Sequence, residues 1–260
     1  MSGRVQKRHW DGLLPLVIPV VILVVWQVLG DAGILSTRIL PTPLGVVQAG
    51  IQLSQQGVLW QYIGTSTERA FIGFFIGGSI GFLLGLLNGL YRTSEKLIDS
   101  SIQMIRTIPH LALIPLVIVW FGVGEEAKVF LVALGSLFPI YVNTFFGIKS
   151  VDADLIEMAR VYRLSWWKMF WKVILPGALP SILVGVRYGL GVMWITLIVA
   201  ETISENSGIG YMTMNAEQFM QMNVVVLGIV IYALLGKLSD WMASMMEKRW
   251  LQWHPNYLSK

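Results

Sequence analysis

The chain has 260 residues, 55% of them hydrophobic and 13% charged, and 19 basic plus 15 acidic side chains are too few to clothe a soluble globule of this size, so the composition points to lipid as the solvent. With no cysteine, disulfides, thiolate catalysis and Cys-based zinc or iron-sulfur ligation are excluded. The net charge of +4 is scattered between apolar runs and forms no patch, which argues against a nucleic-acid-binding face.

Residues 12–30 carry no charge and, at about 1.5 Å per residue, match a hydrocarbon layer of about 30 Å. This first expected span follows Arg4, Lys7 and Arg8, holds Pro15 and Pro19 in its first turns, and lacks a small-residue cleavage site, so it reads as an anchor that stays. Residues 70–91 form span two, where Gly73, Gly77, Gly81 and Gly85 recur every four residues and give the helix one smooth face for another backbone. Span three is expected from near Ile102 to Gly124, bent by Pro109 and Pro115. Span four, Val129–Ile148, carries Pro139, Asn143 and Thr144, and span five, Leu179–Ala200, is interrupted by Arg187. The uncharged run Gln218–Gly236, continuing amphipathically toward Trp241, completes six transmembrane helices of an all-α, polytopic membrane fold.

An even span count puts both chain ends on one side, and Lys and Arg favour the cytoplasm in short loops. With the N-terminus inside, the cytoplasmic segments hold Arg4, Lys7, Arg8, Arg92, Lys96, Arg106, Lys149, Arg160, Arg163, Lys168, Lys172, Lys237, Lys248, Arg249 and Lys260, fifteen of the nineteen. Only Arg38, Arg69 and Lys128 fall outside, and Arg187 is the one basic residue within a span. The longest cytoplasmic connection, Lys149–Pro176, has the polarity and periodicity of a surface helix: Asp152, Asp154 and Glu157 lie early, and Lys168 and Lys172 late, in the order a helix dipole prefers. Trp166, Trp167 and Trp171 would suit a helix lying on lipid equally well.

Within that connection, Glu157-Met158-Ala159, six intervening residues and then WWKMFWKVILPGALPSI resemble the EAA loop of binding-protein-dependent ABC importer permeases. The segments STRILPTP at Ser36, IPHLALIPLVIVWFG at Ile108, LFPIYVNTFFGI at Leu137 and AETISENSGIGYMTMNAEQF at Ala200 are most similar to aliphatic sulfonate permeases of the sulfonate, taurine and nitrate branch. The resemblance implies a type I ABC importer permease fold over one transmembrane domain, 1–260. Its core would be about 60–245 with a coupling loop at 150–176, and 1–59 would supply an N-terminal span and an external connection. It further implies a homodimer in the bacterial cytoplasmic (inner) membrane, two cytoplasmic ABC ATPase subunits that bind ATP and magnesium, and an external or periplasmic solute-binding protein. Glu157, Met158, Ala159, Arg163, Leu164, Ser165 and Trp166 would form the ATPase-coupling segment, with Pro176 as the motif's late proline. The family's usual glycine is here Arg163, a residue that reaches turn dihedrals less cheaply.

No catalytic set is expected: His9, His110 and His254 are dispersed, and there is no phosphate-binding loop ending in Lys and Ser or Thr, so this chain is read as a non-enzymatic transport subunit without cofactor or metal. Arg187 could attract a sulfonate in the translocation path, or pair with a carboxylate in the bundle. His110, Asn143 and Thr144 are the other candidate path residues. Glu201 and Glu205, which open the external segment, would repel an anion, so they suit holding that segment or docking the binding protein better than touching cargo. The alternatives are import of taurine, nitrate or bicarbonate, a membrane-embedded enzyme, which the absence of a paired catalytic set disfavours, or an ion-coupled transporter, which would need buried acids the spans do not offer.

Overall fold

The computed structural model describes residues 14–203 and 207–253, with side chains from Val17 onward. Among them every regular element is a helix: α1 (Leu14–Asp31), α2 (Pro43–Gln55), α3 (Val58–Leu90), α4 (Arg92–Arg106), α5 (His110–Phe121), α6 (Glu125–Lys149), α7 (Ala153–Val161), α8 (Trp166–Thr202), α9 (Ile209–Gln218) and α10 (Met222–Trp250). α4 and α8 each contain a wider, π-helical turn, at Glu95–Asp99 and Phe170–Ile174, and α5 opens with a 3-10 turn at His110–Leu113.

Four helices, α3, α6, α8 and α10, are long and apolar enough to cross a bilayer, and α4 with α5 makes a fifth if this pair, bent by 81°, is one broken span. The described residues thus give four or five crossings where the sequence suggests six: the first expected span starts at residue 12, outside the described residues, and its described part is the apolar helix α1. The break before α5 falls at Pro109, which lacks an N–H and biases its predecessor away from helix. Pro139, in contrast, stays inside α6. Nor is the expected surface helix over 149–176 a single element: α7 stops at Val161, and the second half is the beginning of α8, which runs on into the fifth expected span.

The chain divides into two compact units, one ending at Trp60 and taking in Met212–Val230, the other comprising Gln61–Tyr211 and the chain from Ile231 onward. In the first, Thr42 caps α2 by accepting from the Gly45 N–H at 3.2 Å, with Pro43 in the first turn where its missing N–H is harmless. Gln27 of α1 accepts from the Leu44 N–H at 3.1 Å, tying α1 to the start of α2.

In the second unit α6 is the central helix. Its partner on one side is the glycine face of α3: a Cβ at Gly77 would lie 1.9 Å from the Ala133 carbonyl oxygen, and one at Gly81 would lie 2.3 Å from that of Leu137. On the other side α8 approaches through its own small residues, so that a Cβ at Gly185 would meet the Asn143 Cβ at 2.6 Å. Ile148, Phe170, Ile174, Ala178 and Ile182 form a core between α6 and the start of α8, and Val117, Ala127, Leu131 and Ala200 form a second near the opposite end of α6. Polar pins complete the frame. Tyr141 of α6 donates to Asp99 of α4 and accepts from the Asn88 amide of α3 at 2.8 Å, and the Trp194 indole donates to Ser239 of α10 at 2.8 Å. Gly77→Ala is expected to lower the melting temperature in detergent by an amount equivalent to about 2 kcal/mol or more, since backbone must move. Gly64→Ala, where a Cβ meets nothing within 4 Å, is expected to leave it unchanged.

Candidate functional site

The most completely buried charge in this second unit is Glu201, in the last turn of α8 and 0% exposed. Its carboxylate accepts from the Ser66 hydroxyl (2.7 and 2.8 Å), Arg69 Nη1 (2.7 Å), the Gly210 N–H (3.0 Å) and the Tyr232 hydroxyl (2.8 Å). Arg69, also buried, donates to the Ser207 carbonyl at 2.8 Å and to its hydroxyl at 2.6 Å, and grips both oxygens of Glu125, which also accepts from Lys128 at 3.1 Å. Two cations thus balance two carboxylates, and four donors satisfy Glu201, the condition under which a buried charge is tolerated. The segment after α8 can wrap this carboxylate only because it is small: Gly208 has φ +105°, and a Cβ there would lie 2.3 Å from a Glu201 oxygen. A Cβ at Gly210 would lie 2.5 Å from the Glu201 Cβ. The charge count puts Arg69 and Lys128 on the external side, and no buried acid is expected in the spans. The second point is corrected: Glu201 at the end of α8 is a buried acid, and Arg69 in α3 and Lys128 in α6 are each buried against a carboxylate. Glu205 lies outside the described residues.

Two cavities meet at Tyr188 and Val192 of α8. The larger, about 620 Å³, is lined by Val184, Arg187, Gly191 and Ile195 of α8 together with Asp240 and Glu247 of α10. Arg187 is held there by Asp240 through Nε and Nη2, both at 2.6 Å, and by Glu247 at 3.5 Å. It is therefore an ion-paired residue of the bundle, and the acids that hold it were missed because α10 runs fourteen residues beyond the uncharged stretch ending at Gly236. Asp240 and Glu247, seven apart, share a helix face, a spacing that could have revealed them.

The smaller cavity, about 360 Å³, brings Arg106, His110, Asn143 and Tyr188 together with the apolar Phe138, Val142 and Val192. His110 Nε2 lies 3.0 Å from the Thr196 hydroxyl, and Asn143 donates one amide hydrogen to the Pro139 carbonyl at 2.8 Å. Thr144 is not in either cavity lining. It is fully buried against Gly85 of α3, and its hydroxyl has no hydrogen-bond partner among the described residues.

The segment Glu157–Trp166 forms a short helix and a tight turn. Asp152 caps α7 by accepting from the Asp154 N–H at 2.9 Å. At the other end Arg163 itself adopts the left-handed conformation, φ +52°, while its N–H donates to the Arg160 carbonyl (2.9 Å) and the Leu164 N–H to that of Ala159 (3.0 Å). This pair of bonds is the helix stop normally built on glycine, kept here with an arginine. Ser165 precedes α8, whose first residue, Trp166, stacks on Phe170 and on Tyr91. Pro176 lies two residues after the end of the π-helical turn, where the widened ladder accommodates its missing N–H. Ala159 is 1% exposed, so its small side chain serves packing within the chain, whereas Leu155, Met158, Val161 and Tyr162 form an exposed apolar stripe and Glu157 is exposed beside it.

Two predictions follow from these geometries. Glu201→Gln removes the charge that balances Arg69 and turns an amide N–H₂ toward donors, and is expected to lower stability by about 3–5 kcal/mol, read as loss of folded yield and melting temperature in detergent. At the turn, Arg163→Gly is expected to be neutral or stabilising by up to about 1 kcal/mol, because the left-handed penalty is offset by glycine's greater unfolded entropy. Arg163→Val, a β-branched residue at positive φ, is expected to destabilise by more than about 1 kcal/mol in the same assay.

Over 251 residues the chain is 61% identical to a protein of Escherichia coli (strain K12) whose name is that of an aliphatic sulfonates transport permease, covering 96% of this chain and 95% of that one. A protein of the same name from Bacillus subtilis (strain 168) is 44% identical over 251 residues, covering 96% and 91%. Among solved structures, an amino acid ABC transporter chain superimposes with a TM-score of 0.61 at 18% identity over 76% of this chain and 96% of that one, which shows a shared fold. Residues 77–252 match the model of the family described as "Binding-protein-dependent transport system inner membrane component". That match covers more than half of the chain, and the chain belongs to this family of membrane transport components.

Proposed function

We propose that the protein is the permease subunit of an ATP-driven importer that moves aliphatic sulfonates across the bacterial cytoplasmic membrane. The observation that carries this reading is the near full-length likeness to relatives named for aliphatic sulfonates transport. In this proposal the chain is a single transmembrane domain with both ends cytoplasmic, two copies pair, and two ATPase subunits bind the ATP and magnesium. A solute-binding protein delivers the anion from outside.

The coupling segment is proposed to be α7 and the turn to Trp166. An exposed apolar stripe on a nine-residue helix whose other side is packed into its own chain is poorly matched to water and suits a protein groove. Glu157, Arg163 and Ser165 would form the polar rim of that contact, with Leu164, Trp166 and Pro176 fixing the turn and the start of α8. Glu201 is proposed to hold the segment that follows α8, a role its four donors support.

The test is reconstitution with the ATPase and binding protein in vesicles. ATP-dependent uptake of ethanesulfonate is expected, in preference to taurine, nitrate and bicarbonate, and absence of any sulfonate uptake by the complete wild-type complex would refute the function. For the coupling segment the informative position is Val161, 76% exposed, and not Ala159, whose replacement would disturb the chain's own packing. Val161→Arg is expected to cut co-purification of the ATPase at least tenfold. A helix that merely lies on anionic lipid would tolerate the added cation, and unchanged ATPase association would remove the coupling assignment.

A further inference from the structure

The cation that the sequence singles out, Arg187, is already matched by two carboxylates. The smaller cavity has a different charge balance: no Asp or Glu lines it, and Arg106 makes no ion pair among the described residues. We propose that this cavity is an anion subsite on the translocation path, in which Arg106 makes the charged contact with the sulfonate group. The inference rests on the transport reading above and names the site within it.

Three observations converge on it. Arg106 is the last residue of α4 and His110 the first of α5, so the cavity is lined by the two ends of the 81° break. Irregular backbone within a membrane-crossing segment persists where it is buried in protein or lines a cavity, and this break lines a cavity. The polar groups facing the cavity can donate. Asn143 has a second amide hydrogen beyond the one given to Pro139, and the Tyr188 hydroxyl has no partner among the described residues. Thr196 fixes the His110 ring by its 3.0 Å contact. An arginine fork together with such donors fits the oxygens of a sulfonate, and the apolar wall accommodates a short alkyl chain. A volume of about 360 Å³ is at the low end of the roughly 300–1,000 Å³ typical of ligand pockets, which selects a small cargo.

The experiment compares Arg106→Gln, Arg106→Lys and Arg187→Gln in the complete reconstituted transporter, measuring ethanesulfonate uptake per assembled complex at saturating binding protein. Arg106→Gln is expected to reduce uptake per complex at least tenfold. Arg106→Lys keeps the positive charge that favours correct insertion but loses the fork, and is expected to give an intermediate rate. Arg187→Gln is expected to act on the amount of assembled complex. The assignment is overturned if Arg106→Gln transports at the wild-type rate, if its only effect is loss of assembly, if Lys restores the full rate, or if uptake per complex falls with Arg187→Gln and not with Arg106→Gln. A wild-type complex that assembles and hydrolyses ATP but moves no sulfonate would instead refute the underlying transport reading, and the subsite with it.

Discussion

The arrangement of the larger unit depends on how near two helix backbones can come. Gly77 and Gly81 place α3 against carbonyl oxygens of α6 at distances no side chain would permit, and this contact sets the depth at which every neighbouring group must fit. In lipid, where apolar surface gains little from leaving its surroundings, dispersion between closely packed backbones is a main source of helix association. α6 then serves as the partner of both α3 and α8, and its polar residues are sorted by the side they face. Thr144 packs on Gly85 of α3, while Asn143, one residue earlier, meets the α8 side and the smaller cavity.

Charge is the second organising influence. Each strongly held cation in the larger unit is matched locally: Arg69 and Lys128 by Glu125 and Glu201, Arg187 by Asp240 and Glu247, and Lys149 by Glu95 at 2.6 Å. For the buried Arg69 and Lys128, removal of the partner would leave an uncompensated buried charge, a loss of about 3–5 kcal/mol. Arg106, an exposed residue, faces a carboxylate-free cavity, and in the proposed subsite an anionic cargo supplies its partner.

The elements most legible in sequence were those with a short period. Four-residue glycine spacing marked one face of α3 correctly, because helix geometry converts spacing into a face directly. It could not name α6 as the partner, since that choice depends on both surfaces. Hydropathy found the cores of the long helices but not their ends: an uncharged window stops at the first Lys, whereas α10 continues through Lys237 because its acids are met by Arg187. Glu201 and Arg69 lie 132 residues apart, and nothing local to either reveals the pairing. The nearest signal was the run Ser207-Gly208-Ile209-Gly210 after an acid, small enough for a backbone to close over a carboxylate. Arg163 was a departure from glycine whose effect only the backbone could settle. Two hydrogen bonds hold it in the left-handed region, and Met220 after α9 is held there by the same pattern, from Glu217 and Ala216.

α8 begins at the turn that Arg163 closes and ends at the carboxylate that gathers Ser66, Arg69 and Gly210. From Trp166 to Glu201 it is a rod of about 50 Å at 1.5 Å per residue. A stiff elbow at one end, pinned by two hydrogen bonds, cannot absorb a sideways push in the way a loose glycine linker would. In the proposed coupling role, displacement of α7 would be passed along the rod as a rotation or a thrust, with the π-helical turn before Pro176 and the kink-prone Pro180 as its proline-marked places to bend. On that proposal the same helix would act as a connecting rod, linking the surface where force is applied to the clamp that fixes its far end.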